Sequence, residues 1–483
     1  MIIFNKENQI KKALNSIMKF NNFRFLVIFS NFIFVNVLYF IDYTFITEYF
    51  KLFEVYILLL FSLLVYFNIK YFGFFHIMVF FHSTFLLFVL GKVPADLFDI
   101  ASIQEFYSLV NNNFEIITII EALLISVLSL LAINLFSFFF IPKKLKLLNS
   151  NKLYVSIGKK IMLFSFPLIF IKLYIEYKFI MTVGYVSYYA GAATNIHYPF
   201  ILIGISHMIF SFGYFIFLAG IPELKKFKLY SYIFLFIMLM DALKGSRGVL
   251  VLPILFYFWY LGNFYEINIK KYVKRFIVFA IIIISFSQFY AQYRLDSSKS
   301  YDYSKILSFL TDQGRSVSLL SLYIENKNSM PETTLGYIFE PLTFPFVYVN
   351  NRSLLSHGQN IDTVTLRENL NHRLTYYLNE NYYLSGGGLG SSYIAEAYEF
   401  GYLGIILFSI LLPYLISILY KYSDKRIVVF FSFYIVTHIF TIGRAEYFMN
   451  LWGILKYSIL YVIFILILKI LIKKDLKNVP KYN

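Results

Sequence analysis

Apolar runs of membrane-spanning length recur from one end of the chain to the other. They lie near 24–42, 53–69, 72–91, 115–141, 161–181, 199–221, 229–243, 248–262, 276–292, 394–420, 427–443 and 447–469. A helix needs roughly 17–25 predominantly apolar residues to cross a bilayer. The pattern predicts an all-α polytopic membrane protein with about twelve transmembrane helices. Two of the runs, 229–243 and 248–262, are short and separated only by Lys244-Gly245-Ser246-Arg247. They read as two spans meeting at the membrane surface or as one broken helix. No internal repeat is evident, which argues against the inverted-repeat architecture of many transporters.

The polar segments between the runs give the orientation. Lysines gather in alternate loops: the N-terminus, Lys143 to Lys160, Lys225 to Lys228, Lys270 to Arg275, Lys421 to Arg426 and the tail after Lys469. The positive-inside rule makes that side cytoplasmic and puts both termini there. Residues 1–22 are polar and lysine-bearing and no small-residue cleavage pattern follows the first run, so an uncleaved signal anchor is expected. The outward side is lean in charge except for residues 293–393, which are too long for a simple connector. Tyr, Phe and Leu recur through this loop, with Pro331, Pro341, Pro345 and Gly386-Gly387-Gly388. A small folded subdomain is expected, with helices near 303–325 and 361–380. The chain then divides into an N-terminal membrane region (1–292), a loop subdomain (293–393) and a C-terminal membrane region (394–483).

Composition agrees and removes other classes. Of 483 residues, 59% are hydrophobic and 14% charged, against about 45–50% and about 25% in soluble domains. A soluble enzyme, a nucleic-acid-binding protein and a disulfide scaffold are excluded, and the net charge of +16 reads as membrane topology. The chain has no cysteine, so thiolate metal sites and a cysteine nucleophile are excluded. No His-carboxylate set has metal-ligand spacing, and Gly386–Gly390 lacks the ending of a phosphate-binding P-loop; a tight turn is expected there. No metal and no cofactor are expected. His76 and His82 lie in an apolar run and are read as satisfied by neighbours. Asp241 with Lys244, and Lys172 and Lys178 with Glu176, are read as helix-face ion pairs.

Arginine is placed unevenly. Lysine is the default cation, 33 against ten arginines, yet seven of the ten fall on the outward side: Arg247, Arg294, Arg315, Arg352, Arg367, Arg373 and Arg444. A guanidinium binds phosphate or carboxylate through two parallel hydrogen bonds, which an ammonium cannot do. The excess points to an anion site on the outward face, alongside loop-stabilising pairs with Asp and Glu. Arg247 stands at the membrane boundary in Gly245-Ser246-Arg247-Gly248, where the next helix would direct its N-terminal amides. Glycosidic chemistry then needs a base for an attacking hydroxyl. The outward candidates are His372, His357, Glu340, Glu396, Glu399 and Glu446. His372-Arg373 follows Arg367 in a segment of helical spacing that would bring 367 and 371 together with His372 beside them, and Glu396 and Glu399 are expected to share a helix face.

Three stretches together resemble the bacterial O-antigen polymerases of the Wzy type. They are Gly245-Ser246-Arg247-Gly248, Asp312-Gln313-Gly314-Arg315-Ser316, and Gly388-Leu389-Gly390-Ser391-Ser392-Tyr393-Ile394-Ala395-Glu396 running into Phe400-Gly401-Tyr402-Leu403-Gly404. The resemblance covers roughly residues 230–415 in motifs and the whole chain in topology. It implies a GT-C-like, metal-independent membrane glycosyltransferase of the bacterial inner membrane, with its active site facing the periplasm. Its substrates would be undecaprenyl-diphosphate-linked oligosaccharide repeat units, and a chain-length regulator is a common partner. On this reading Arg247, Arg294 and Arg315 hold the donor diphosphate. Arg367, Arg373 and Arg444 contact the acceptor, and Glu396, Glu399 or His372 activates the hydroxyl. Ser391-Ser392-Tyr393 stands where related ligases often carry a His-Asn pair, which favours polymerase over ligase. An O-antigen ligase and a lipid-linked oligosaccharide flippase are the alternatives, with a non-enzymatic transporter as a third class.

Overall fold

The computed structural model describes residues 2–105, 114–146, 148–184, 188, 196–244, 248–279, 281, 285, 311, 313–355 and 359–477. Regular structure among these is helical. In chain order the helices are α1 (Ile2–Phe40), α2 (Phe50–Phe72), α3 (Ile77–Phe88), α4 (Lys92–Leu97), α5 (Ile116–Phe140), α6 (Lys152–Val183), α7 (Ile201–Gly204), α8 (Ser206–Ala219), α9 (Leu224–Ala242) and α10 (Gly248–Phe264). There follow α11 (Ser316–Asn326), α12 (Glu340–Asn350), α13 (Arg352–Leu355), α14 (Ile361–Leu366), α15 (Leu370–Leu378), α16 (Glu380–Leu384), α17 (Tyr393–Tyr398), α18 (Gly401–Lys421), α19 (Arg426–Thr441) and α20 (Leu451–Lys477).

Among the described residues, seven helices are long and apolar enough to cross a membrane: Phe20–Phe40, α2, α5, α6, α18, Arg426–Arg444 and Leu451–Ile470. The apolar helices α3, α8 and α10 are shorter. Most of the 276–292 run lies outside the described residues. The expected 394–420 span is two helices. The chain turns at Gly401, whose φ of +63° an L side chain rarely adopts, so α17 is separated from α18.

The core is built around α5. Its apolar residues run all round the helix, and 83% of its most apolar stretch is enclosed, against 17% for the first span. A helix apolar on every face belongs in the centre of a bundle, and α1, α11 and α18 pack on it. The tightest pair is α6 with α8. An ideal Cβ at Gly158 would lie 2.4 Å from the backbone nitrogen of Phe217 and 2.7 Å from the carbonyl of Gly213. Small residues let membrane helices approach to backbone contact.

Several polar side chains within the apolar helices are paired, His76 and His82 among them as expected. His82 Nδ1 donates to the Met78 carbonyl at 2.6 Å, which leaves Nε2 to accept from Asn134 at 2.9 Å. Asn68 joins this set through Asn134 and takes Arg24 at 3.2 Å. His76 is held between the Pro142 carbonyl and the Met78 amide. Lys244 pairs with both Asp241 and Glu176, and Lys172 lies 3.9 Å from Glu176; Lys178 is exposed.

The basic loops meet at one end of the bundle. Arg426 reaches the carbonyls of Ala219 and Asn149, Ser423 bonds to Lys146, and Asn263 bonds to the Phe75 carbonyl. Residues 313–400 pack at the other end. Of the two helices expected in the long loop, the first is observed as α11, with 303–310 outside the described residues. The second is divided into α14 and α15. α11 is no surface helix: Ser316–Tyr323 are buried, and it packs against α5 and α17.

Candidate functional site

The segment between α14 and α15 brings charge together by local capping. Asn369 precedes α15, and its Oδ1 accepts from the His372 amide at 3.3 Å, the usual role of Asn at a helix start. That cap leaves the Asn369 amide group facing outward from the helix. It donates to Glu340 Oε2 at 3.3 Å and to Glu446 Oε1 at 3.1 Å. Glu340 opens α12 and Glu446 follows α19, so one amide bridges carboxylates from two distant segments. Arg367 closes the group. Its Nε donates to Glu340 Oε1 at 2.7 Å, Nη1 donates to His372 Nε2 at 3.0 Å, and the guanidinium lies over the Phe344 ring at 4.1 Å.

The titration states follow from this geometry. A guanidinium can only donate, so His372 Nε2 accepts and the imidazole proton sits on Nδ1, 3.0 Å from the Tyr383 hydroxyl. Burial, and then the Arg367 charge, lower the His372 pKa to about 3. Burial, and then the neighbouring Glu340, push the Glu446 carboxyl above the usual range. A cavity of ≈ 350 Å³ opens onto the group, walled by Glu340, Thr343, Phe344, Thr365, Arg367 and Glu368 among others. It offers a cation, carboxylates, hydroxyls and an aromatic face. That set suits a substrate carrying both sugar hydroxyls and phosphate.

The other expected site residues sit elsewhere. Glu396 is fully buried; Ser391 Oγ donates to Oε1 at 2.6 Å and the Tyr447 amide to Oε2 at 3.0 Å. Burial, and then Glu446, raise its carboxyl well above the usual range. Glu399 accepts from the Thr333 hydroxyl and, at 2.6 Å, from the Tyr337 amide; burial raises its pKa. Glu396 and Glu399 thus turn to different partners. Gly336 beside Glu399 has φ +94°, and an ideal Cβ there would meet Phe400 at 2.5 Å.

Arg373 is buried, donates to the Glu332 carbonyl at 3.2 Å, and lies over the Tyr337 ring. Glu368 accepts from the Thr334 and Leu335 amides at 2.6 and 3.2 Å. Arg373, Glu368 and Glu399 together clamp residues 331–337. Arg444 bonds to Gln313, and Gly314 lies on the backbone of Gly91 and Lys92, beside Arg315. Arg247, Arg294 and His357 lie outside the described residues.

The structure therefore joins Arg367 and His372, which meet across the break between α14 and α15 and not along one helix, to two of the candidate bases, Glu340 and Glu446. Asn369, Tyr383 and Phe344 were not singled out. For Asn369 a signal existed: an Asn immediately before an amphipathic segment marks a helix cap.

These features define a class: an all-helical, multi-pass membrane protein with a charged, sugar-sized cavity at the end opposite its basic loops. The model of one family, O-antigen polysaccharide polymerase Wzy, matches residues 25–475. The chain belongs to that family, and its function is O-antigen polymerisation, which uses a lipid-linked oligosaccharide in a membrane. No curated protein and no solved structure matches the chain.

Proposed function

We propose that polymerisation takes place at the Glu340–Arg367–His372 group. The observation that carries this reading is that Arg367 and Glu340, an anion binder and a carboxylate 2.7 Å apart, share the wall of one cavity. The acceptor hydroxyl oxygen attacks the anomeric carbon of the donor sugar. The bond from that carbon to the diphosphate oxygen breaks, and its electron pair leaves on the diphosphate. Glu340 takes the hydroxyl proton. Arg367 offsets the charge gathering on the leaving group, a role that a preorganised donor fills without a metal ion. When diphosphate engages the guanidinium it competes with Glu340, which frees the carboxylate to act as base. His372, neutral and fixed by Tyr383, positions Arg367.

In this reading Glu396, Glu399 and Arg373 frame the site and do not touch substrate. Arg315 and Arg444 flank it, Arg315 near Lys92 and Arg444 bonded to Gln313. The donor is an undecaprenyl-diphosphate-linked repeat unit, and the cavity faces the periplasm from the inner membrane. The gathering of the lysine-rich loops at the opposite end supports that orientation. We also propose twelve crossings in a GT-C-like arrangement. Every expected apolar run but 276–292 coincides with one or more described helices.

The test is the lipopolysaccharide ladder in a deletion strain carrying Arg367→Ala at normal protein level. Collapse to core plus a single repeat is expected. Wild-type chain lengths would remove the assignment, and complete loss of attached sugar would indicate a ligase or flippase.

A further inference from the structure

A second cavity, of ≈ 520 Å³, lies at the opposite end of the molecule, among the basic loops. Three segments wall it: the turn after α2, the linker between α5 and α6, and the end of α10. Its floor is aromatic, from Phe72, Phe75, Phe264 and Tyr265, and its rim carries Lys143 and Lys144. Glu266 is the acidic residue in the lining and is exposed. Lys146, Lys270 and Lys271 follow within two residues of the lining, so the surroundings are strongly cationic.

The walls are tied to one another. Asn263 Nδ2 donates to the Phe75 carbonyl at 2.9 Å, which joins the end of α10 to the turn after α2. Gly262 lets the two touch, since an ideal Cβ there would lie 2.2 Å from Phe75 Cβ. His76 Nε2 lies 3.3 Å from the Pro142 carbonyl, which joins that turn to the lysine-bearing linker. The Lys143 ammonium sits 4.0 Å from the Tyr71 ring centroid. The cavity is therefore preformed, with an aromatic floor and lysines at its rim.

We infer that this cavity binds the headgroup of an anionic phospholipid from the cytoplasmic leaflet. Lys143 and Lys144 meet the phosphodiester, and the aromatic floor takes the glycerol and the first acyl carbons. Basic pockets between membrane helices on the cytoplasmic side hold anionic headgroups by this combination, and the charge of the rim is what sets anionic above zwitterionic lipid. The site is remote from Arg367 and stands independently of the chemistry proposed there.

The test uses the full chain in detergent. Thermal unfolding is followed while dioleoylphosphatidylglycerol, dioleoylphosphatidylcholine or inorganic phosphate is added, for wild type, the double variant Lys143→Gln/Lys144→Gln and the control Lys225→Gln/Lys226→Gln. Both pairs are exposed, so folding is retained. Phosphatidylglycerol is expected to raise the unfolding temperature of wild type and of the control. In the double variant its apparent affinity is expected to fall on the order of tenfold. An equal response to phosphatidylcholine, or to free phosphate, overturns the proposal. So does an undiminished response of the double variant, or an equal loss in the control.

Discussion

Arg367 and His372 face each other at 3.0 Å, and the donor-only guanidinium dictates which imidazole nitrogen carries the proton. A histidine beside a fixed cation is a poor proton acceptor. Its use is to hold the guanidinium from one side while Glu340 holds it from another.

Arg367→Lys keeps the charge and loses the fork. Nε donates to Glu340 while Nη1 donates to His372, and one ammonium cannot reproduce both directions. Polymerisation by Arg367→Lys is expected to fall on the order of a hundredfold, the scale of losing a preorganised oxyanion donor. A radiolabelled repeat-unit assay in membranes measures it. Full activity of the lysine variant would show that charge alone suffices.

His372 carries a pH signature. Its folded pKa is lowered to about 3, below the ordinary value of about 6.5. The unfolded chain then binds the extra proton between those values, so this group lowers stability as pH falls from about 6.5 towards about 3. His372→Gln removes that slope. Thermal unfolding at pH 7.5 and pH 5 is expected to show a smaller pH dependence for the variant than for wild type. An equal slope in both proteins contradicts the assignment.

Glu446 works in the opposite sense. Burial and Glu340 raise its folded pKa, so the ionised form costs stability as pH rises above the ordinary carboxylate range. Glu446→Gln keeps an oxygen to accept from Asn369. It is expected to unfold at a higher temperature than wild type at pH 7.5, with the gap narrowing at pH 5. A gap that widens at low pH would show that Glu446 is not destabilised by ionisation in the folded chain.

The positions of the apolar helices were legible in the sequence, because length and apolar content alone decide whether a helix crosses a bilayer. The break at Gly401 was less so. Glu396 and Glu399 preceded a long apolar run without interruption, and only the positive φ at Gly401 shows that α17 stops first. The site was legible in part. Arg367 and His372 were both candidates, and they meet because the chain breaks between α14 and α15. The partnership of Glu340 with Glu446 was hidden, since 106 residues of chain separate them and the link is a single Asn369 amide. Nor could spacing reveal that α11 buries its surface against α5. Its serines, Ser316, Ser318 and Ser321, are enclosed.

Tight packing of α6 on α8 gives a prediction about the fold alone. A side chain at Gly158 must displace the Phe217 backbone, since even a Cβ would lie 2.4 Å from its nitrogen. Gly158→Val is expected to cost roughly 1–3 kcal/mol or more, the scale of overpacking a filled core. The measurement is unfolding in detergent by denaturant titration. Gly184→Ala, with no atom within 4 Å of its Cβ but φ at +82°, is the comparison for backbone strain without crowding.

Glu396 gives the sharpest separation of framing from catalysis. Both its oxygens are engaged, one by Ser391 Oγ and one by the Tyr447 amide. Burial raises its carboxyl well above the usual range, and in the neutral form Oε1 donates to Ser391 Oγ while Oε2 accepts from the Tyr447 amide. A glutamine matches this arrangement: its amide donates to Ser391 Oγ and its oxygen accepts from the Tyr447 amide. Glu396→Gln is therefore expected to leave the lipopolysaccharide ladder near wild type. Glu396→Ala strands the buried Tyr447 amide, at a cost of about 1–3 kcal/mol, and is expected to lower protein level and chain length together. Glu340→Gln, by contrast, removes the proposed base and is expected to stop polymerisation at normal protein level. Loss of long chains in well-expressed Glu396→Gln, with Glu340→Gln still active, would move the base from Glu340 to Glu396.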